Sequence, residues 1–266
     1  LRDLPWRRTN DPWRVLVSEV MLQQTSVARV MPKYDVFLEA FPTPAALAQA
    51  SLGDALRLWS GLGYPRRCRN LQATAVVLHE QFNGRMPSTL DELLALPGIG
   101  QYTARAVLAF AHRIDVAVVD VNVSRVLSRL EGVPMKARAL QELADELIPE
   151  GLAWEWNQVM MDFGARHCTV RSPQCDSCPV RSQCRYKGVG EDPAQLSAGV
   201  SKPQARFEGS DRQARGRAMK AVSSGAMNIN DVVEAMRVEE QRALALIASL
   251  VNEGLLQRTD AMITLP

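Results

Sequence analysis

Leu96-Pro97-Gly98-Ile99-Gly100-Gln101-Tyr102-Thr103-Ala104 is the stretch on which the fold turns. It lies between two segments, 88–96 and 101–111, whose apolar residues recur at the three- and four-residue spacings of amphipathic helices. Glycine at 98 and 100 permits a tight turn, and the second helix begins with backbone N–H groups that have no intrahelical partner. Those donors and the positive helix end suit a phosphate. The segment reads as a helix-hairpin-helix element that holds a nucleic-acid backbone without reading its sequence. An ordinary turn between two helices is the alternative for Gly-x-Gly alone.

Helical spacing extends outward in both directions. Stretches 12–30, 44–58, 67–82, 123–131, 137–148 and 152–166 carry it, with breaks at Pro42, Gly61-Leu62-Gly63, Pro87, Gly132 and Pro149. Val116 to Val119 is strand-like, but too short and isolated to build a sheet. Residues 188–204 have Gly, Pro and Ser without a period and read as a linker. Beyond it, 205–266 has a basic helix (211–223), helices at 230–236 and 238–252, and two brief strands, the pattern of a small winged-helix domain.

Cys168, Cys175, Cys178 and Cys184 form a C-x6-C-x2-C-x5-C loop, with Cys68 far upstream. These residues show no secretory segment, so metal binding is the expected use for these thiols rather than disulfides. Zinc and an iron–sulfur cluster both suit four thiolates. Glu19 falls on an apolar stripe with Val15, Leu16 and Leu22. Burial there would raise its pKa and make a general acid of it, unless it sits at the edge of the stripe in contact with water. Asp120, just ahead of helix 123–131, is either a helix cap or a second functional carboxylate.

The net charge of +2 hides an uneven distribution: 201–220 carries six basic residues against two acidic ones, while acidic residues gather at 139–150 and 232–240. Such separation of sign fits a nucleic-acid face with an acidic back. Apolar content of 47% and charged content of 23% describe a soluble globular protein. No run is long enough to span a bilayer, so a cytoplasmic, nucleoid-associated protein without membrane contact is expected. A few residues are expected to precede Leu1.

LPWR (4–7), SEVMLQQT (18–25), GLGY (61–64), LPGIGQYTA (96–104), VDVNVSRV (119–126), MMDFGA (160–165) and the cysteine loop together resemble the helix-hairpin-helix DNA glycosylases, of the adenine DNA glycosylase (MutY) type. The resemblance covers roughly 4–184. It implies an all-α, two-lobed fold in residues 1–187, with one lobe at roughly 15–121 and the other joining the N-terminus to 122–188. A cleft between the lobes and a 4Fe–4S cluster on the four cysteines are implied as well. It implies that Glu19 protonates a departing adenine and that Asp120 stabilises the sugar cation. Asn122 matches an accompanying asparagine, although Val121 replaces the usual glycine. Tyr64 matches a side chain wedged into the base stack, and Gln23 and Gln24 match residues near the opposite base. Trp6, Arg7, Gly98, Gly100 and Tyr102 complete the implied DNA contacts. Bifunctional relatives carry a lysine where Tyr102 stands, and a phenol cannot form their Schiff base. The implied activity is monofunctional removal of adenine mispaired with 8-oxoguanine or guanine, by a monomer acting on double-stranded DNA. Thymine or uracil removal, and a non-enzymatic iron–sulfur regulator, are the alternatives. The usual C-terminal Nudix-like domain is replaced by the winged-helix-like tail, whose Arg212, Arg215, Arg217 and Lys220 are expected to add DNA affinity.

Overall fold

The computed structural model describes residues 1–199 and 206–266. Residues 200–204 of the expected linker and residue 205 of the expected tail domain lie outside the described residues. After a 3-10 turn at Pro5–Arg7 come helices α1 (Pro12–Leu22), α2 (Val27–Ala40), α3 (Pro44–Gln49), α4 (Leu52–Trp59) and α5 (Arg66–Gln81). They are followed by α6 (Leu90–Leu94), α7 (Gln101–Phe110), α8 (Val121–Glu131), α9 (Ala137–Glu146) and α10 (Ala153–Arg166). The C-terminal part adds α11 (Asp211–Ala221), β1 (Met227–Asn228), α12 (Ile229–Met236), α13 (Glu240–Asn252), β2 (Gln257–Thr259) and β3 (Met262–Thr264). Hydroxyl side chains start several helices: Thr43, Ser51, Thr89 and Ser210 each accept from the N–H three residues on.

Tertiary contacts gather the described residues into two units: Leu1–Leu16, Ser88–Ala95 and 99–199 in one, Val17–Pro87, Leu96–Gly98 and 206–266 in the other. In the first unit, residues 116–118 form neither helix nor strand. Side chains of α9 and α10 replace the missing strand: Asn157 accepts from Val118 N–H at 2.7 Å and donates to the Val116 carbonyl, while Asp145 accepts from Ala117 N–H at 2.8 Å. Arg105 on α7 pairs with the same Asp145. These bonds explain why α7 and the segment after it group with the N-terminus and the cysteine loop, rather than with a lobe spanning 15–121.

The second unit packs α2 to α5 around Val30, Phe37, Leu71 and Leu78, with the Phe37 ring edge-on to Trp59 at 5.7 Å. The tail belongs here too. Its α11, α12 and α13 enclose Ala218, Val232, Met236, Ile247 and Leu250, and β3 lies between β1 and β2 in an antiparallel sheet. Three helices and a hairpin are present as expected, and the two-residue β1 is an addition. Arg66 Nε donates to Glu253 Oε2 at 2.6 Å, Arg57 to the Ser223 carbonyl, and Gly53 N–H to the Pro266 carbonyl at 2.7 Å. These contacts join the tail to residues 17–87, and in the expected linker Asp192 pairs with Arg129 of α8 at 2.7 Å.

Candidate active site

The helix expected across 12–30 is broken after Leu22, and Gln24 takes a left-handed φ of 53°. No Pro or Gly marks this break. Arg67 makes it: Nη1 donates to the Val20 and Met21 carbonyls at 2.8 Å, and Nη2 to Thr25 Oγ1 and to the Leu62 and Gly63 carbonyls. A side chain 46 residues away thus takes up carbonyls that the end of α1 leaves without helical partners. Burial draws the Arg67 pKa down to about 10, against the pull of Tyr64 and Cys68. Glu19 sits one turn before this end, 6% exposed. Gln23 is half-buried and Gln24 exposed in the turn after α1. Tyr64 is half-buried, holds a left-handed φ of 47°, and has the Arg67 guanidinium 5.5 Å from its ring centre.

The 96–100 turn is built as the glycines suggested. Gly98 has φ 74°, and a Cβ there would lie 2.7 Å from the Asn70 side chain. Both conditions require glycine. Thr74 of α5 donates to the Pro97 carbonyl at 2.7 Å, fixing the loop. Gly98 and Gly100 are exposed, Gly100 is the N-cap of α7, and Tyr102 is half-buried in its first turn.

Asp120 caps α8. Its Oδ1 accepts from the N–H groups of Asn122 and Val123, and its Oδ2 from Asn122 Nδ2, all at 2.8 Å. The expected helix cap is present. Burial pushes the Asp120 carboxyl above the usual aspartate range, although these donors and the Arg125 charge all favour the anion. Arg125, absent from the expected set, is 5% exposed and ties this cap to the cysteine loop. It donates to Asn122 Oδ1 at 2.9 Å, to the Gly164 carbonyl at 2.6 Å and to the Cys168 carbonyl at 2.7 Å. One turn on, Arg129 donates to the Thr169 carbonyl at 2.7 Å and to Cys168 Sγ at 3.3 Å. Their partners on α10 and the cysteine loop lie 39 to 43 residues away, beyond the reach of local spacing.

Cys168, Cys175, Cys178 and Cys184 line one pocket, partly open to solvent, together with Arg129, Phe163 and Tyr186. The loop is pinned to the end of α8 by Arg185 N–H to the Leu130 carbonyl and Tyr186 N–H to the Arg129 carbonyl. A Cβ on Gly188 would stand 2.9 Å from Cys175 Sγ, so a side chain there would crowd the thiol. Among the described residues no three His, Cys, Asp or Glu side chains are placed to hold a single metal ion.

Trp6 and Arg7 are both largely buried. Trp6 is 7% exposed in the core. The Arg7 side chain, also 7% exposed, meets Asp162 of α10 through two bonds of 2.9 and 3.0 Å, and Arg2 adds two more. Despite the cost of burial, Arg7 and Arg2 hold the Asp162 carboxyl well below the usual range. LPWR anchors the N-terminus to α10.

The model of the HhH-GPD superfamily base excision DNA repair proteins matches residues 17–150, half of the chain. The chain belongs to this superfamily. Within it, the adenine DNA glycosylase of Mycolicibacterium smegmatis is 41% identical over 97% of this chain and 89% of its own length. The human adenine DNA glycosylase is 40% identical over 74% of this chain and 39% of its own length. Among solved HhH-GPD-like structures, a thermostable thymine-DNA glycosylase superposes with a TM-score of 0.67 at 32% identity, covering 70% of this chain and 89% of that one. Endonuclease III trapped covalently on DNA gives 0.62 at 29%, covering 66% and 84%.

Proposed function

We propose that this chain is a monofunctional, monomeric DNA glycosylase that hydrolyses the N-glycosidic bond of adenine mispaired with 8-oxoguanine or guanine in double-stranded DNA. The observation that carries this reading is the 41% identity to an adenine DNA glycosylase across nearly the whole chain, tail included. Adenine departs readily only when protonated, and the sugar it leaves gains positive charge. A buried carboxyl holds its proton better than a solvated one, which suits Glu19 to the leaving base. Asp120, fixed by three hydrogen bonds, suits the sugar cation as an oriented anion that need not reorganise. The N–H groups at the start of α7, behind Gly98 and Gly100, suit a phosphate. Tyr102 offers no amine for an imine. The target nucleotide must leave the stack to be reached, and Tyr64 is the aromatic group suited to the gap.

Cys168, Cys175, Cys178 and Cys184 fit a 4Fe–4S cluster. A cluster takes one thiolate at each iron, so its ligands surround a volume, as these line a cavity. A lone zinc draws its ligands to one point. When bound, the cluster would supply fixed charge and a cross-link for the 168–184 loop. Iron and sulfide analysis of the purified protein tests it directly.

Likeness to a thymine-DNA glycosylase structure favours a second reading, removal of a mispaired pyrimidine. Single-turnover assays on duplexes carrying A:8-oxoguanine, A:G, T:G and U:G separate the two. Adenine release from the first pair is the expected result, and thymine release without adenine release would establish the alternative.

A further inference from the structure

The basic helix of the tail holds its arginines half-buried against other parts of the protein. On α11, Arg215 binds Glu253 at 2.6 Å and Ser249 at 3.1 Å, and Arg217 binds the Met236 carbonyl at 3.1 Å. Arg212 turns to Tyr64: its Nη1 donates to the phenol oxygen at 2.9 Å, with the guanidinium 5.9 Å from the Tyr64 ring centre and 5.1 Å from that of Phe207. Of the four basic residues expected to add DNA affinity, only Lys220 is exposed. The tail is therefore built to grip the protein at this helix.

What it grips is unusual. Tyr64 has a φ of 47°, a left-handed conformation that costs a non-glycine residue energy and persists only where the surroundings impose it. Two guanidiniums meet its side chain, Arg67 from the neighbouring helix and Arg212 from a segment 148 residues away. The tail also holds the residues that follow: Glu253 accepts from Arg66 through its carboxylate and from Arg69 through its main-chain carbonyl. The 64–69 segment is thus fastened to the tail at its first, third and last residues.

We infer that Arg212 is a positioning residue for Tyr64, holding the phenol in the orientation from which it enters the opened base stack. The tail thereby acts on base extrusion through the tyrosine, and not as a further phosphate-binding surface. This rests on the reading of Tyr64 as the stack-filling group.

The test follows extrusion in the full chain, by stopped-flow fluorescence of 2-aminopurine beside the mispaired adenine. Matched-duplex affinity and single-turnover base release are measured alongside. A hydrogen bond from a charged donor is lost in Arg212→Ala, so extrusion should slow about tenfold, with matched-duplex affinity unchanged. Tyr64→Phe should slow it similarly, the double variant should be no slower than either single one, and Arg212→Lys should recover part of the rate. Wild-type extrusion in Arg212→Ala, with mispaired and matched duplexes bound equally more weakly, would make Arg212 a phosphate contact and overturn the inference. If Arg212→Ala does not fold, Tyr64→Phe decides, since it removes only the oxygen; a wild-type rate there also overturns it. Tyr64→Ala separates the levels. Unchanged extrusion in that variant sinks the stack-filling role itself, whereas slowed extrusion there with a wild-type rate in Arg212→Ala sinks only the positioning role.

Discussion

Arg125 binds three segments from one buried position, and its removal would strand the Gly164 carbonyl and the Asn122 amide oxygen and leave the Cys168 carbonyl with the longer bond from Arg129. Arg125→Leu should cost about 3 kcal/mol of stability, seen as a lower urea midpoint, because desolvated acceptors are left unmet. The same residue bears on the chemistry of Asp120. Burial raises that carboxyl, and Asn122 and Arg125 oppose the rise. If the anion is the active form, base release should fall as pH drops through a value above the usual aspartate range. Asn122→Ala, which removes a donor to the anion, should move that acid limb to higher pH in single-turnover profiles. An unmoved limb would detach Asp120 from the rate. The four thiols stand out in the sequence by residue type and local spacing, whereas Glu19 and Asp120 each keep a bland reading there, and only the family resemblance singles them out. The work of Arg7 could not, since its partner Asp162 lies 155 residues away.

At the scale of elements, the break between α1 and α2 shows where periodicity misleads. Apolar spacing runs through Gln23 to Ser26, and the stop is imposed by Arg67 from α5. Arg67→Ala should fray the end of α1, lowering amide exchange protection at residues 19–22 before global unfolding. The tail depends on an ion pair in a comparable way. Arg66, Arg215 and Ser249 hold Glu253 ionised, its pKa lowered to about 2 from 4.5. A depressed folded-state value means that the contribution is whole above pH 4.5 and is lost as pH falls through about 2. The share from Arg66 is weakened by solvent, because that side chain is 63% exposed. Glu253→Gln should therefore melt below the wild type at neutral pH, and the gap should narrow as pH falls from about 5 toward about 2.

For the molecule as a whole, the helix-hairpin-helix turn, the cysteine loop and the three-helix tail with its hairpin were all legible, each carried by local residue chemistry. The grouping of the tail with residues 17–87 was not, because it rests on bonds such as Arg57 to Ser223 and Gly53 to Pro266 between distant positions. Nor was the inward turn of the α11 arginines, which the sequence presents as an open basic face. The central claim is that a buried carboxyl on α1 donates the proton on which adenine departs, and Glu19→Gln tests it most directly. In a single-turnover assay on an A:8-oxoguanine duplex the variant should release no adenine while binding that duplex with near wild-type affinity. Release at the wild-type rate would contradict the account.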